Sequence, residues 1–86
     1  MITINGQAGS LESSDCLVMV RPLDRLEIHL ESAVEKRYGE HIREVIRQTL
    51  ADLGLTAGLI AVTDRGALDY CLRARVTTAV KRARAC

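Results

Sequence analysis

RLEIHLESAVEKRYGEHIREVIRQTLADLG, residues 25–54, changes its repeat once, at Ser32. Before that point Leu26, Ile28 and Leu30 alternate with Glu27, His29 and Glu31, the two-residue repeat of a strand with one face buried. Beyond it Val34, Tyr38, Ile42, Val45, Ile46, Thr49, Leu50 and Leu53 fall on one stripe at 3.6 residues per turn. Glu35, Lys36, Arg37, Glu40, Arg43, Glu44 and Arg47 fall largely elsewhere. Ser32 and Glu35 have capping-box spacing, and Gly54 stands where a glycine ends a helix. The spacing predicts a strand over 25–32 and a helix over Ser32–Leu53. A helix with a single apolar stripe must bury it against another layer, which makes this stretch decisive for the fold class.

Upstream, "SDCLVMVR", Ser14 to Arg21, is a mostly apolar run too short for a helix. It predicts a strand buried on both faces and ended by Pro22. The few residues "PLD" before the next strand suggest an antiparallel hairpin. Residues 1–13 are small and polar, with Gly6 and Gly9, and predict a loosely held lead-in with a short strand at Met1–Ile4. Downstream, "GLIAVTD", Gly58 to Asp64, predicts another strand. Ala67, Leu68, Cys71, Leu72, Val76, Ala79, Val80 and Ala83 then recur at helical spacing over Ala67–Ala83. The predicted architecture is an α+β two-layer sandwich. A small mixed sheet of three or four strands, in the order β-β-α-β-α, carries both helices on one face, within a single domain over residues 1–86.

Length and composition agree. A chain of 86 residues, 48% hydrophobic and 27% charged, makes one modest globular domain with little room for a deep cavity. Tyr38 and Tyr70 are the only aromatics, so the core is aliphatic. The formal net charge of +1 gives no general argument for nucleic acid or membrane. No charged leader with an apolar core opens the chain, and no run approaches the ~20 apolar residues of a membrane span. The expectation is a cytoplasmic protein with neither nucleic acid nor membrane as partner. Cys16, Cys71 and Cys86 form no CxxC pair and have no ligand-spaced histidine, so no metal site is expected and the thiols are read as reduced.

Charge is unevenly placed. Arg73, Arg75, Lys81, Arg82 and Arg84 occur with no acid between Arg73 and Arg84. This is either a solvated face with cations at a helix C-terminus or a surface that contacts an anion or a partner, with Arg73 and Arg75 as candidates. His29 lies on the polar side of its strand and His41 beside the helical stripe; both read as structural. No Ser/His/Asp set assembles locally. Ser13 and Ser14, between Glu12 and Asp15, have no base nearby to activate them. From the residues alone, this is a non-catalytic domain that binds a partner or carries a group.

Three segments then bear a resemblance. "GSLESSD" (9–15), "VEKRYGEHIR" (34–43) and "TDRGALDYCLRAR" (63–75) resemble, in order and at matching spacing, the citrate lyase acyl carrier protein family, the gamma subunit of that complex. The combination of G-[ST]-L-E-S-x-D with D-x-G-A-L-D-x-x-L-R-A-R is specific to that family. The resemblance implies a serine esterified through a phosphodiester to 2′-(5″-phosphoribosyl)-3′-dephospho-coenzyme A. Matched residue by residue, this serine falls on Ser13, with Ser14 beside it as the second possibility. It also implies partners: the alpha (transferase) and beta (lyase) subunits, a holo-carrier synthase that attaches the arm, and a ligase that acetylates it. A carrier serine needs exposure rather than a resident base. Two rival readings are the carrier of a related lyase, such as citramalate lyase, and a non-carrier α+β binding domain that uses its basic last helix.

Overall fold

The computed structural model describes residues 2–32 and 35–84. The elements are β1 (Gly6–Gly9), β2 (Cys16–Arg21), β3 (Leu26–Ser32), α1 (Glu35–Asp52), β4 (Gly58–Asp64) and α2 (Asp69–Ala83). They form a four-stranded mixed sheet in the order β1-β2-β4-β3. β1 with β2 and β2 with β4 are antiparallel, and β3 runs parallel to β4. The α+β two-layer class is as predicted. Val18, Val20, Ile60 and Val62 of the sheet meet Ile46 and Leu50 of α1 and Leu72, Val76, Ala79 and Val80 of α2 in one buried cluster.

The hairpin expected across "PLD" does not form. β4 lies between β2 and β3, pairing Cys16–Arg21 on one side and Leu26–Ser32 on the other. The reason is burial: β4 has the more apolar run, "GLIAVTD", and takes a central position, while β3, with Glu27, His29 and Glu31, takes an edge. β2 is also not buried on both faces. Cys16, Val18 and Val20 face the core, and Leu17 and Met19 on the other side are half-buried.

The lead-in is held more firmly than its composition predicts. The strand lies at Gly6–Gly9 rather than Met1–Ile4, Ile2 and Ala8 are buried, and the amides of Thr3 and Ile4 donate to the Ala83 carbonyl at 3.2 and 3.3 Å. The two glycines that suggest looseness permit this packing. A Cβ on Gly6 would stand 2.5 Å from the Ala79 carbonyl oxygen and the Ala83 amide, so α2 lies directly on the β1 backbone. Gly9 has φ +95, and a Cβ there would collide with the Cys16 carbonyl oxygen.

α1 ends as its sequence predicts. The Leu55 amide donates to the Leu50 carbonyl and the Gly54 amide to that of Ala51, each at 3.0 Å, with Gly54 at φ +70, which is a Schellman motif. At its other end Ser32 belongs to β3, and its hydroxyl donates to Asp64 Oδ2 at 2.9 Å. Val34, on the predicted stripe, lies outside the described residues, as does Cys86. Tyr38 on the same stripe is 49% exposed, and Leu68, placed on the stripe of α2, precedes that helix and is 61% exposed. Both line a groove beside the start of α2.

Candidate functional site

Ser13 and Ser14 lie in the loop joining β1 to β2, and both are exposed. The Asp15 amide donates to the Glu12 carbonyl at 3.2 Å, closing a four-residue turn with the two serines at its centre. Ser14 has φ 66 and is the only non-glycine residue with a positive φ among the described residues, so the turn has the sense of a type II turn. Ser13 is its second residue and Ser14 its third. The Ser14 amide donates to the Arg65 carbonyl at 2.8 Å, and the Arg65 amide returns a bond to the Asp15 carbonyl at 2.9 Å. These bonds extend the β2–β4 pairing past Cys16 and Asp64, so the loop hangs from a central strand.

Asp15 is the hub of the loop. Its carboxylate accepts the Ser10 hydroxyl at 2.7 Å, the Cys16 amide at 2.7 Å, and Arg75 Nε and Nη2 at 3.0 and 3.1 Å. The Ser10 hydroxyl first, then Arg75 and the Cys16 amide, hold this carboxyl well below the usual carboxylate range. Asp15 in turn raises the Arg75 guanidinium, chiefly through the same hydrogen bonds. The half-buried Cys71 thiol lies 3.7 Å from Asp15 Oδ1. Cys16 is fully buried, and burial pushes its thiol up to about 12. The result is a fixed backbone presenting two hydroxyls to solvent.

The basic run of the last helix is largely answered from elsewhere in the chain. Arg73 pairs with Asp52 at 3.0 Å and Arg75 with Asp15. Arg82 donates to the Gln7 carbonyl at 2.8 Å and Arg84 to that of Leu53 at 2.9 Å. An acid-free stretch of sequence is therefore no acid-free surface. His29 bonds Glu27 at 3.1 Å, and that contact, then Arg25, lowers the Glu27 carboxyl. His41 bonds Asp69 at 2.8 Å, joining the two helices. Among the described residues no group of three or more His, Cys, Asp or Glu is placed to hold a metal, and no helix is long and apolar enough to cross a membrane.

Beside the loop a groove of about 600 Å³ opens between α1 and the start of α2. Tyr38, Ile42, Leu68 and Tyr70 form its apolar lining, and Asp64 and Gly66, either side of Arg65, close the end nearest the serines. Sequence reasoning missed Arg65, Tyr38 and Tyr70. The available signal was scarcity: a chain with two aromatic residues places both at one surface feature.

A small α+β module that displays two hydroxyls on a turn pinned through Asp15 and Arg75 suits a carrier. Comparison with known proteins gives that class its family. The family model described as acyl carrier, malonate decarboxylase delta subunit (MdcD), matches residues 3–83. A citrate lyase acyl carrier protein of Haemophilus influenzae (strain PittEE) is 51% identical over 82 residues, covering 95% of this chain and 86% of its own. Its counterpart in Albidiferax ferrireducens is 56% identical over 77 residues, covering 87% and 79%, and that of Streptococcus mutans 51% over 78 residues, covering 88% and 76%. The chain belongs to this acyl carrier family, with the citrate lyase acyl carrier proteins. A crystal structure of a Thermus thermophilus protein shares the fold alone, with a TM-score of 0.52 and 14% identity. The match covers 90% of this chain and 14% of that much longer one.

Proposed function

We propose that this chain is the acyl carrier subunit of a cytoplasmic citrate lyase, and that Ser13 bears 2′-(5″-phosphoribosyl)-3′-dephospho-coenzyme A through a phosphodiester. The observation that carries the reading is the loop itself. Ser13 is exposed at the second position of a turn whose backbone is tied to Arg65 and whose one half-buried acid is tied to Arg75. An exposed hydroxyl with no base beside it suits a modification made by a separate synthase. The arm supplies the thiol that carries acetyl and citryl groups between the transferase and lyase subunits, after a ligase acetylates it. The carrier's own part is positional: tethering raises the effective concentration of the thioester at two active sites.

Within this reading Arg75 acts as a positioning residue, since Asp15 occupies its guanidinium. Arg73, exposed at the edge of its pair with Asp52, is the better contact for an acidic partner surface. The family model carries the name of a different enzyme's carrier subunit, but the relatives at 50% identity and above favour citrate lyase.

The decisive experiment is intact mass and peptide mapping of the protein from its native host. Ser13→Ala should abolish incorporation of the arm and all lyase activity of the complex while leaving the fold unchanged, and Ser14→Ala should retain both. An arm mapped to Ser14 would move the site; none on either serine would overturn the function.

A further inference from the structure

The groove between α1 and α2 collects three of the six large apolar side chains exposed among the described residues. Tyr38, Leu68 and Tyr70 are 49%, 61% and 72% exposed, and all three line it. Clustered apolar exposure beside a functional loop marks a surface that something covers. Its volume of about 600 Å³ is that of a small-ligand site rather than of a protein interface. Two tyrosine rings, the only aromatic faces available, suit a flat heterocycle. The His41–Asp69 pair at the rim offers the polar edge such a ring needs for orientation.

Position selects which heterocycle. Through the bonds between Ser14, Asp15 and Arg65, the serine turn is joined to the segment Asp64–Gly66 that closes one end of the groove. A group attached at Ser13 therefore starts one residue from the bond that joins the turn to this segment. In the arm assigned above, the phosphoribosyl link joins the adenosine ribose at its 2′ position. The adenine therefore lies at the serine end, and the thiol lies at the far end. Arg65, between the serines and the groove, is exposed and makes no ion pair among the described residues, so it is available to the linking phosphate.

We propose that this groove holds the adenine of the arm, so that the base rests on the carrier beside its attachment point and only the thiol-bearing half swings. The inference rests on the carrier reading of Ser13. Docking the base shortens the part of the arm left free, which narrows the volume the thioester explores and raises its effective concentration near a bound partner. No bond is made or broken in the groove; stacking and one hydrogen-bonded edge suffice.

The test compares the unloaded and loaded full-length carrier by NMR, with intact mass and mapping on the same samples. Loading should move the ring and amide resonances of Tyr38 and Tyr70 and the ring of His41, and give contacts between adenine protons and a tyrosine ring. Tyr38→Ser with Tyr70→Ser should abolish those contacts while the arm still loads on Ser13. Both rings are exposed, so the melting temperature should stay near wild type. A protein loaded on Ser13 with unchanged groove resonances would overturn the proposal and leave the carrier reading standing. Groove shifts that appear only when partner subunits are added would assign the groove to a partner and overturn it equally. A protein with no arm at all would overturn both readings, and the mass spectrum separates that failure from the others.

Discussion

The two connections that leave β2 are alike in sequence and opposite in construction. Ser10–Asp15 before the strand and Pro22–Arg25 after it are both short, polar and on the surface. The second is tied by a single backbone bond, from the Gly58 amide to the Arg25 carbonyl at 2.9 Å, and otherwise by exposed pairs, Arg25 with Asp24 at 3.3 Å and with Glu27 at 2.7 Å; the Asp24 and Arg25 side chains are 87% and 67% exposed. Pairs of this kind hold little. The first keeps its serines in solvent but anchors its backbone through Asp15, Ser10, Arg75 and Arg65. On the proposed carrier reading, an exposed modification site therefore need not be a loose one. Fixing the turn gives a modifying enzyme one geometry to recognise and spares the entropy of ordering it on each encounter.

Breaking the anchored turn outright should have the largest effect. Gly9→Ala drives a Cβ into the Cys16 carbonyl at a φ that disfavours side chains, and should destabilise by about 3 kcal/mol or more. Chemical denaturation measures it, and a loss below about 1 kcal/mol would show that the turn can shift to escape the clash. Next comes the hub. Asp15→Asn keeps the shape but removes the charge that Arg75 answers, so melting temperature should fall at neutral pH and amide exchange should quicken across Ser10–Cys16.

The same residue gives the pH dependence its sign. Its carboxyl is lowered in the folded state, so its contribution is complete above the unfolded value and is lost as pH falls below about 4. Wild type should lose stability there more steeply than Asp15→Asn. Parallel pH profiles for the two proteins would show that Asp15 is not the anchor.

Smaller effects sharpen the contrast. Ser14→Gly relieves a left-handed conformation at the price of a more flexible unfolded chain, so stability should rise by up to about 1 kcal/mol with loading at Ser13 retained. A clear loss on denaturation would mean that the Ser14 side chain has a structural role. The smallest change belongs to the other connection: Asp24→Ala should stay within about 0.5 kcal/mol by the same measurement. A larger loss would erase the difference between the two loops.

Much of the local structure was legible. β4 was read to its ends, the stop of α1 at Gly54 was read correctly, and "GSLESSD" with "TDRGALDYCLRAR" identified the family and the candidate serines. Less legible were the places where one segment gives another its meaning. Gly6 and Gly9 read as looseness because a sequence does not show α2 lying on the first or a carbonyl facing the second. Tyr38 matched the stripe of α1 by spacing, but the stripe outruns the core there, and Tyr38 lines an open groove instead.

By itself, then, the sequence determined β2, β3, β4 and the two helices to within a few residues, the α+β class and the candidate serines, because hydrophobic period, helix-stopping glycine and a family motif are all encoded within a few neighbouring residues. Tertiary structure alone decided that β4 separates β2 from β3, that Arg75 answers Asp15 across 60 positions and Arg73 answers Asp52 across 21, and that both tyrosines meet beside the serines. Strand order follows from which run can be buried on two sides, and an ion pair from which surfaces packing brings within about 3 Å. Neither is a property of any one segment.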